Sequence, residues 1–450
     1  MPESLELSHY HVVSPRFVDE RAQAARRVVF ATRTAEVRVL DDNLWQQIGA
    51  GRISEIDSTI VEDLAGIKLL VAAGENELAS IVNQNNAAID RNPVLSLVVC
   101  PTAACQLGCP YCGQEHTNRW LAEHHQTAFL AIAENKLRAG SYRAVQLCWF
   151  GAEPLLGMKV IRAFTPRIRR LAEQYGCKYT SRIITNGLAL TSDRATELVK
   201  EYSVSNIDLT LDGVAALHNE RRSMKNGRPT FDRIFQNLVA LASRDDLDVE
   251  IKLRTNVDAS NWQAVSPLIR MLADAGVQHR IGYYVAPIHS WGNDADKASL
   301  PREEFASHEI EWFAEMMLNG FDVGLIPPRK PIVCLAVQHD GMLVDASGGL
   351  FNCTEAPYVP THQDDSLQTG DVTEGENRSA RQKLGDFNTH VAAGKYPCST
   401  CRMLPVCGGA CPKGWLEGWR PCPSALDNMP DRLLLAYVSS IRSEPAAMAS

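Results

Sequence analysis

The chain has 450 residues, of which 45% are apolar and 22% charged, with 45 basic against 53 acidic side chains for a formal charge of −8. That length supports two or three domains with sizeable cores, and the acidic balance excludes the basic footprint of a nucleic-acid binder. No apolar run of about 18 residues marks a membrane span, and the amino terminus shows no basic-then-apolar signal. A cytoplasmic protein is expected, and in that compartment 13 cysteines argue for metal or redox chemistry, because structural disulfides are rare there.

Three blocks follow in chain order. Residues 1–93 open with strand-like alternation around 28–31 and 37–40. A short apolar helix comes next at 44–48, then helical periodicity across 56–90 through Ile60, Leu64, Leu69 and Leu70. Strands followed by helices predict a small winged-helix-like module. Such a module can take an extended peptide as an added strand at its sheet edge; a plain packing extension would show the same pattern. Residues 94–320 alternate strands, at 94–100, 143–149, 178–184, 205–211, 248–255 and 278–284, with amphipathic helices. Repeated strand–helix units imply an α/β fold with a parallel sheet and right-handed crossovers, with chemistry at the carboxyl ends of the strands. Residues 321–450 are rich in Cys, Gly and Pro. They include an acidic loop near 363–376, a last helix over 426–442 and a small-residue tail expected to be disordered.

Directly after the first of these strands stand Cys105, Cys109 and Cys112, spaced C-x3-C-x2-C. Three thiolates hold three irons of a cubic [4Fe–4S] cluster and leave the fourth open to a ligand; buried thiols or a zinc knuckle are the plainer alternative. Tyr111, just before the last cysteine, offers a ring for stacking. This arrangement resembles the cluster loop of radical S-adenosylmethionine (SAM) enzymes. In that family the free iron is chelated by the amino and carboxylate groups of SAM, and one electron cleaves SAM to a 5′-deoxyadenosyl radical. The six units then correspond to the partial (β/α)6 barrel of the family. Gly151-Ala152-Glu153-Pro154 looks like its Gly-Gly-Glu-Pro motif, which accepts from the SAM ammonium; Ala152 in place of glycine demands negative φ. Asn186, in Thr185-Asn186-Gly187, is a plausible ribose contact or an ordinary turn. Thr210-Leu211-Asp212-Gly213, with His218 and Arg221-Arg222 after it, resembles the Ser-Leu-Asp-Gly segment of peptide-modifying members. The hydroxyl of Thr210 with the guanidinium of either Arg222 or Arg254 would bind the SAM carboxylate, for which arginine is suited. Beyond them, 283–292 reaches the barrel mouth as a candidate substrate-gripping segment or as packing.

The carboxyl-terminal cysteines run Cys334, then Gly348 and Cys353, then Cys398-x2-Cys401-x5-Cys407-x3-Cys411 and Cys422. The pattern resembles the SPASM extension of radical enzymes that modify peptides and proteins. By position, the resemblance implies a distal auxiliary cluster on Cys398, Cys401, Cys407 and Cys422 and a proximal one on Cys334, Cys353 and Cys411. Some members supply a fourth proximal ligand from a cysteine just upstream; residues 326–331 here hold none, which implies an open proximal iron. A pair of zinc sites is the alternative for these thiols, and Cys100, Cys148 and Cys177 read as buried free thiols.

The resemblance as a whole implies a radical SAM/SPASM maturase of a ribosomally synthesised precursor peptide. Its cofactors would be SAM and three [4Fe–4S] clusters, its partners the leader-bearing peptide and an external flavodoxin- or ferredoxin-like one-electron donor, with no nucleic acid and no membrane. It would abstract a hydrogen atom and close an oxidative thioether or carbon–carbon crosslink. An anaerobic sulfatase maturase, which makes formylglycine, is the second enzyme reading; that family places an aspartate directly after the Gly-x4-Cys cysteine, where Thr354 stands here. Maturation of a cysteine-rich enzyme subunit, or a zinc-bound peptide-binding regulator, completes the alternatives.

Overall fold

The structure, a computed structural model, describes residues 4–290, 293–360 and 367–443. The six apolar runs become parallel strands: β1 (Val94–Val99), β2 (Ala144–Trp149), β3 (Lys178–Ile184), β4 (Val204–Thr210), β5 (Glu250–Val257) and β6 (Ile281–Pro287). Each is hydrogen-bonded in parallel to the next along the chain, with one register shift between Val204 and Asn206 where β4 meets β3. Between them the helices Glu123–Ala139, Met158–Gln174, Ser192–Tyr202, Phe231–Ala242 and Val265–Asp274 bury Phe129, Phe164, Leu198, Leu238 and Leu268 in one core with the strand residues Leu95, Leu147 and Ile207. Each such side chain contributes about 1.5–3 kcal/mol by leaving water. The result is an α/β partial barrel whose strand carboxyl ends share one rim.

The sheet does not stop at β1. β7 (Met342–Val344) lies parallel to it, and β8 (Gly349–Phe351), β9 (Gln368–Asp371) and β10 (Gly375–Glu376) follow antiparallel, making ten strands among the described residues. Blocks 94–320 and 321–450 therefore share one sheet. The β7–β8 turn is closed by Asp345, whose Oδ1 accepts from the Ser347 and Gly349 amides, both at 2.8 Å. Gly348 has φ +93° in this turn, and a Cβ there would sit 3.1 Å from the His125 ring.

In the amino-terminal block, Ala24–Ala31 pairs with Glu36–Asp41 on one side and with His11–Val13 and Phe17–Asp19 on the other. The helices Asp42–Gly49, Ser58–Gly66 and Glu77–Asp90 complete it. The single helical stretch expected over 56–90 is interrupted: Leu70–Ala72 is a strand paired with Leu5–Leu7. Lys68 turns the chain at φ +61°, and the run Leu69-Leu70-Val71 is buried on both faces, a case in which periodicity cannot separate helix from strand. Alternation along Ala24–Ala31 has a further consequence. Val29 and Ala31 face the block's own helices, while Val28 and Phe30 pack on Met403, Val406, Met429 and Leu433 of the cysteine-rich region and the last helix, Ala425–Ser443. The block is thus docked on the carboxyl-terminal cysteines.

Residues 361–366 of the acidic loop, Trp291 and Gly292 of the barrel-mouth segment and the tail 444–450 lie outside the described residues. Among the described residues no helix is long and apolar enough to cross a membrane.

Candidate active site

The segment after β1 is held in place from three sides. Leu107 bridges Met224, the Gly108 amide donates to Ser223 O at 3.0 Å, and the Lys225 amide donates to Gln106 O at 2.9 Å. From β2, the Glu153 amide donates to Ala104 O at 3.1 Å. These ties turn the thiols of Cys105, Cys109 and Cys112 onto a cleft of ≈ 240 Å³ at the strand carboxyl ends. Its walls also carry Tyr111, Gly151, Ala152, Asn186, Thr210, Arg222, Arg254, Asn256, His289 and Glu355. Burial pushes the Cys105 thiol up to about 12, and it pushes Cys109 and Cys112 upward as well. Any metal held here must therefore displace protons from the thiols.

The turn after β2 is strict. Gly151 has φ +104°, and a Cβ on it would lie 2.9 Å from Cys100 Cβ and 3.0 Å from its Sγ. Ala152 does not need positive φ, so the alanine fits. Glu153 is fully buried and its carboxylate is taken up by the protein: it accepts from the Leu155 amide at 2.8 Å, Thr185 Oγ1 at 2.7 Å and the Asn186 amide at 2.8 Å. It clamps the β2 turn to the β3 turn, and what these turns present to the cleft is Gly151, Ala152 and Asn186. Asn186 Nδ2 in turn lies 3.9 Å from Cys105 Sγ.

Tyr111 is fixed by a charged knot. Its hydroxyl donates to Asp212 Oδ2 and accepts from Arg222 Nη1, both at 2.5 Å, while Arg221 lies over its ring at 5.2 Å. Burial, reinforced by Asp212 against the Arg222 cation, holds the phenol far above its ordinary value, so it stays protonated. Asp212 also accepts from the Asn256 amide at 3.0 Å and Asn256 Nδ2 at 3.3 Å. Behind it runs a directional relay. The Asp212 amide donates to His218 Nδ1 at 3.1 Å, which leaves His218 Nε2–H to donate to Thr230 Oγ1 at 3.1 Å, and Thr230 donates to Arg222 O at 2.6 Å. Burial first, then Arg222 and Arg221, pull His218 down to about 3 and keep it neutral. The Nε atoms of both Arg222 and Arg254 are buried with no hydrogen-bond partner, although both side chains line the cleft.

Tyr111, Gly151, Ala152, Asn186, Thr210, Arg222 and Arg254 converge here, while the Glu153 side chain turns away. Asp212, His218, Asn256 and Glu355 are additions. The first two stood in the segment around Thr210 and Arg222, but nothing in their spacing says that they hold Tyr111. Glu355 carried no signal, because a Cys-Thr-Glu order does not show which turn faces the cleft.

Six of the seven carboxyl-terminal thiols line two adjoining cavities, and Cys353 lines neither. Cys398, Cys401, Cys407 and Cys422 line a cavity of ≈ 270 Å³ with Arg402, Trp415 and Arg420. Within it the Gly409 amide donates to Cys407 Sγ at 3.3 Å, and Arg420 Nε donates to Cys422 Sγ at 3.4 Å. Cys334, Cys407 and Cys411 line a second cavity of ≈ 460 Å³. Cys353 is buried; burial first, then Glu355, raise its thiol, with Cys411 and Cys334 adding to the effect. Among the described residues no three His, Cys, Asp or Glu side chains converge as a single ion would need; the thiols stand around cavities. Cys100, Cys148 and Cys177 are buried and line none of these spaces.

Residues 99–245 match the model of the Radical SAM superfamily. Over 163 residues the chain is 28% identical to an uncharacterized protein of Synechocystis, a match that takes in 34% of this chain and spans 39% of that protein. Over 365 residues it is 21% identical to a serine-type anaerobic sulfatase-maturating enzyme of Bacteroides thetaiotaomicron, covering 71% of this chain and 83% of the relative. Native anSMEcpe with bound AdoMet superposes at a TM-score of 0.58 and 15% identity, over 78% of this chain and 98% of that one; at that identity the likeness is one of fold. The chain therefore carries a radical SAM domain on a partial α/β barrel, is a homologue of an anaerobic sulfatase-maturating enzyme, and is an enzyme.

Proposed function

We propose that the chain is a radical SAM maturase that removes a hydrogen atom from a ribosomally made peptide and closes a thioether or carbon–carbon crosslink in it. The observation that carries this reading is the shared cleft. The three thiols of the C-x3-C-x2-C segment, two arginines with orphaned buried Nε atoms, and the polar groups of Thr210, Asn186 and Asn256 all face one space. An open-iron cluster on Cys105, Cys109 and Cys112 fits the donor set, and an anion beside Arg222 and Arg254 would satisfy the orphaned groups. A SAM molecule held there would supply radical hydrogen-atom abstraction from carbon.

The protein's own residues then have separable tasks. Arg222 and Arg254 would bind the SAM carboxylate with Thr210. The backbone of Gly151 and Ala152, which lines the cleft, would receive the ammonium, while Glu153 holds their turn rigid. Asn186 orients both the ribose and Cys105. Tyr111, locked through Asp212 and Arg222, would form a wall against the adenine. Forming a crosslink removes two hydrogens from the peptide, one as an atom and one as a proton with an electron. The two further cysteine sites supply thiolates for clusters suited to accept such an electron. Among the described residues Glu36–Asp41 pairs only with Ala24–Ala31, so its outer edge is free to add the leader as a strand.

The 21% relative supports formylglycine formation as a second reading; Thr354 after Cys353, in place of an aspartate, speaks against it. Metal analysis of oxygen-free, reconstituted protein tests the cluster basis of either. Three cubic clusters predict ~12 irons per chain and negligible zinc. Zinc in place of iron refutes it. Incubation with cysteine-bearing precursor peptides and with a sulfatase peptide, read by mass, then separates a loss of two hydrogens with ring closure from an aldehyde.

A further inference from the structure

Lys413 is a charge that the fold has no need to bury. It stands two residues after Cys411 in the short helix Pro412–Leu416 and is 1% exposed, a depth that lysine almost never reaches unpaired. Its ammonium pairs with Glu417 Oε1 at 2.8 Å and Oε2 at 2.9 Å. The two ends of this pair differ: the Glu417 side chain is 27% exposed and screened by water, whereas the lysine lies within the protein. A well-packed apolar side chain could replace it without loss, since a buried ion pair is not in itself stabilising. Around the lysine lies the proximal cysteine group. Cys353 faces Cys411 and Cys334. Burial raises the Cys411 thiol, while the backbone amides of Gly414 and Lys413, and then the Lys413 charge itself, oppose the rise. Glu355, which lines the catalytic cleft, is raised by burial against Arg254 and Lys413. Lys330, the other cation facing this group, is exposed.

We propose that Lys413 sets the reduction potential of the proximal centre, holding it high enough to accept an electron. The inference rests on the reading that Cys334, Cys353 and Cys411 hold an iron–sulfur cluster. Such a cluster gains one negative charge when it is reduced, and its potential follows the fixed charge around it. A buried cation favours the reduced form, and the low dielectric of the interior strengthens the effect. The Glu355 carboxylate acts in the opposite sense, and Lys413 offsets it. The lysine forms no bond and passes no proton in this role; it changes only how readily the centre takes one electron.

The test uses oxygen-free, reconstituted full-length protein carrying Cys105→Ala/Cys109→Ala/Cys112→Ala as the parent, so that only the carboxyl-terminal centres remain. Two cubic clusters predict ~8 irons per chain. Their midpoints are read by redox titration with electron paramagnetic resonance, and Cys353→Ala shows which signal is proximal. Lys413→Met at full iron content should make reduction of the proximal centre about tenfold less favourable, a fall of about 59 mV for one electron. The distal midpoint should stay, and Lys413→Arg should return the proximal one to the parent value. Lys413→Gln, which keeps a hydrogen bond to Glu417, gives the same readout where the methionine variant takes up less iron. An unmoved proximal midpoint at full iron, or equal shifts at both centres, overturns the proposal alone. A parent without iron, or a Cys353→Ala variant that loses neither signal, refutes the underlying reading and the proposal with it.

Discussion

Removing the Asp212 carboxylate should destabilise the catalytic end of the barrel more than any surface change. Asp212 is fully buried. It accepts from Tyr111, from the amide and side chain of Asn256, and lies 3.8 Å from Arg221 Nε. Losing one side of a buried ion pair costs ~3–5 kcal/mol because the opposite charge is left unpaired. Arg221 keeps Asp258 at 2.7 Å, so the lower end, ~3 kcal/mol, is expected for Asp212→Ala. Asp212→Asn retains one acceptor and should cost ~2 kcal/mol, the worth of a hydrogen bond to a charged group. In thermal unfolding followed by tryptophan fluorescence, at about 2–4 °C per kcal/mol, the first transition should fall by about 6–12 °C for the alanine variant. A double-mutant cycle with Tyr111→Phe should show a coupling above about 1 kcal/mol. A shift under about 2 °C, or strict additivity with Tyr111→Phe, would refute the view that Asp212 tethers Tyr111.

Gly151→Ala must force the Cys100 side chain away and hold an L-residue at φ +104°. A cost of ~1–3 kcal/mol is expected, with weaker SAM binding in equilibrium dialysis. His218, depressed to about 3 in the fold against 6.5 in the unfolded chain, favours the folded state fully above pH 6.5. That contribution is lost as pH falls from 6.5 toward 3, by about 1.4 kcal/mol per unit. Urea unfolding of His218→Gln should lack this component between pH 6.5 and 5. Phe30→Ala empties a fully buried position between the amino-terminal sheet and the last helix. It should cost ~3–5 kcal/mol and expose residues 4–93 to limited proteolysis ahead of the barrel.

The barrel was legible because each of its strands is a short apolar run between amphipathic helices, and the cluster loop because three thiols at fixed spacing have few uses. Of the carboxyl-terminal thiols, the four grouped as distal line one cavity, whereas Cys334 and Cys411 share theirs with Cys407, and Cys353 lines neither. Three things were hidden. The strand Leu70–Ala72 sits in an apolar stretch that helical spacing also fits. The pairing of β7 with β1 joins residues more than 200 positions apart, which no local pattern encodes. The inward turn of Glu153 follows from donors supplied by Thr185 and Asn186 on the next strand, so a motif read along one segment assigns its carboxylate to the ligand.

The most direct test of the central claim is the yield of 5′-deoxyadenosine when the reconstituted protein is reduced with dithionite in the presence of SAM. Wild type should form it and a Cys105→Ala/Cys109→Ala/Cys112→Ala variant should not, while that variant keeps the iron held by the carboxyl-terminal cysteines. Iron-loaded wild type that leaves SAM intact, or a triple variant that cleaves it equally well, would contradict the assignment of these three thiols to SAM cleavage.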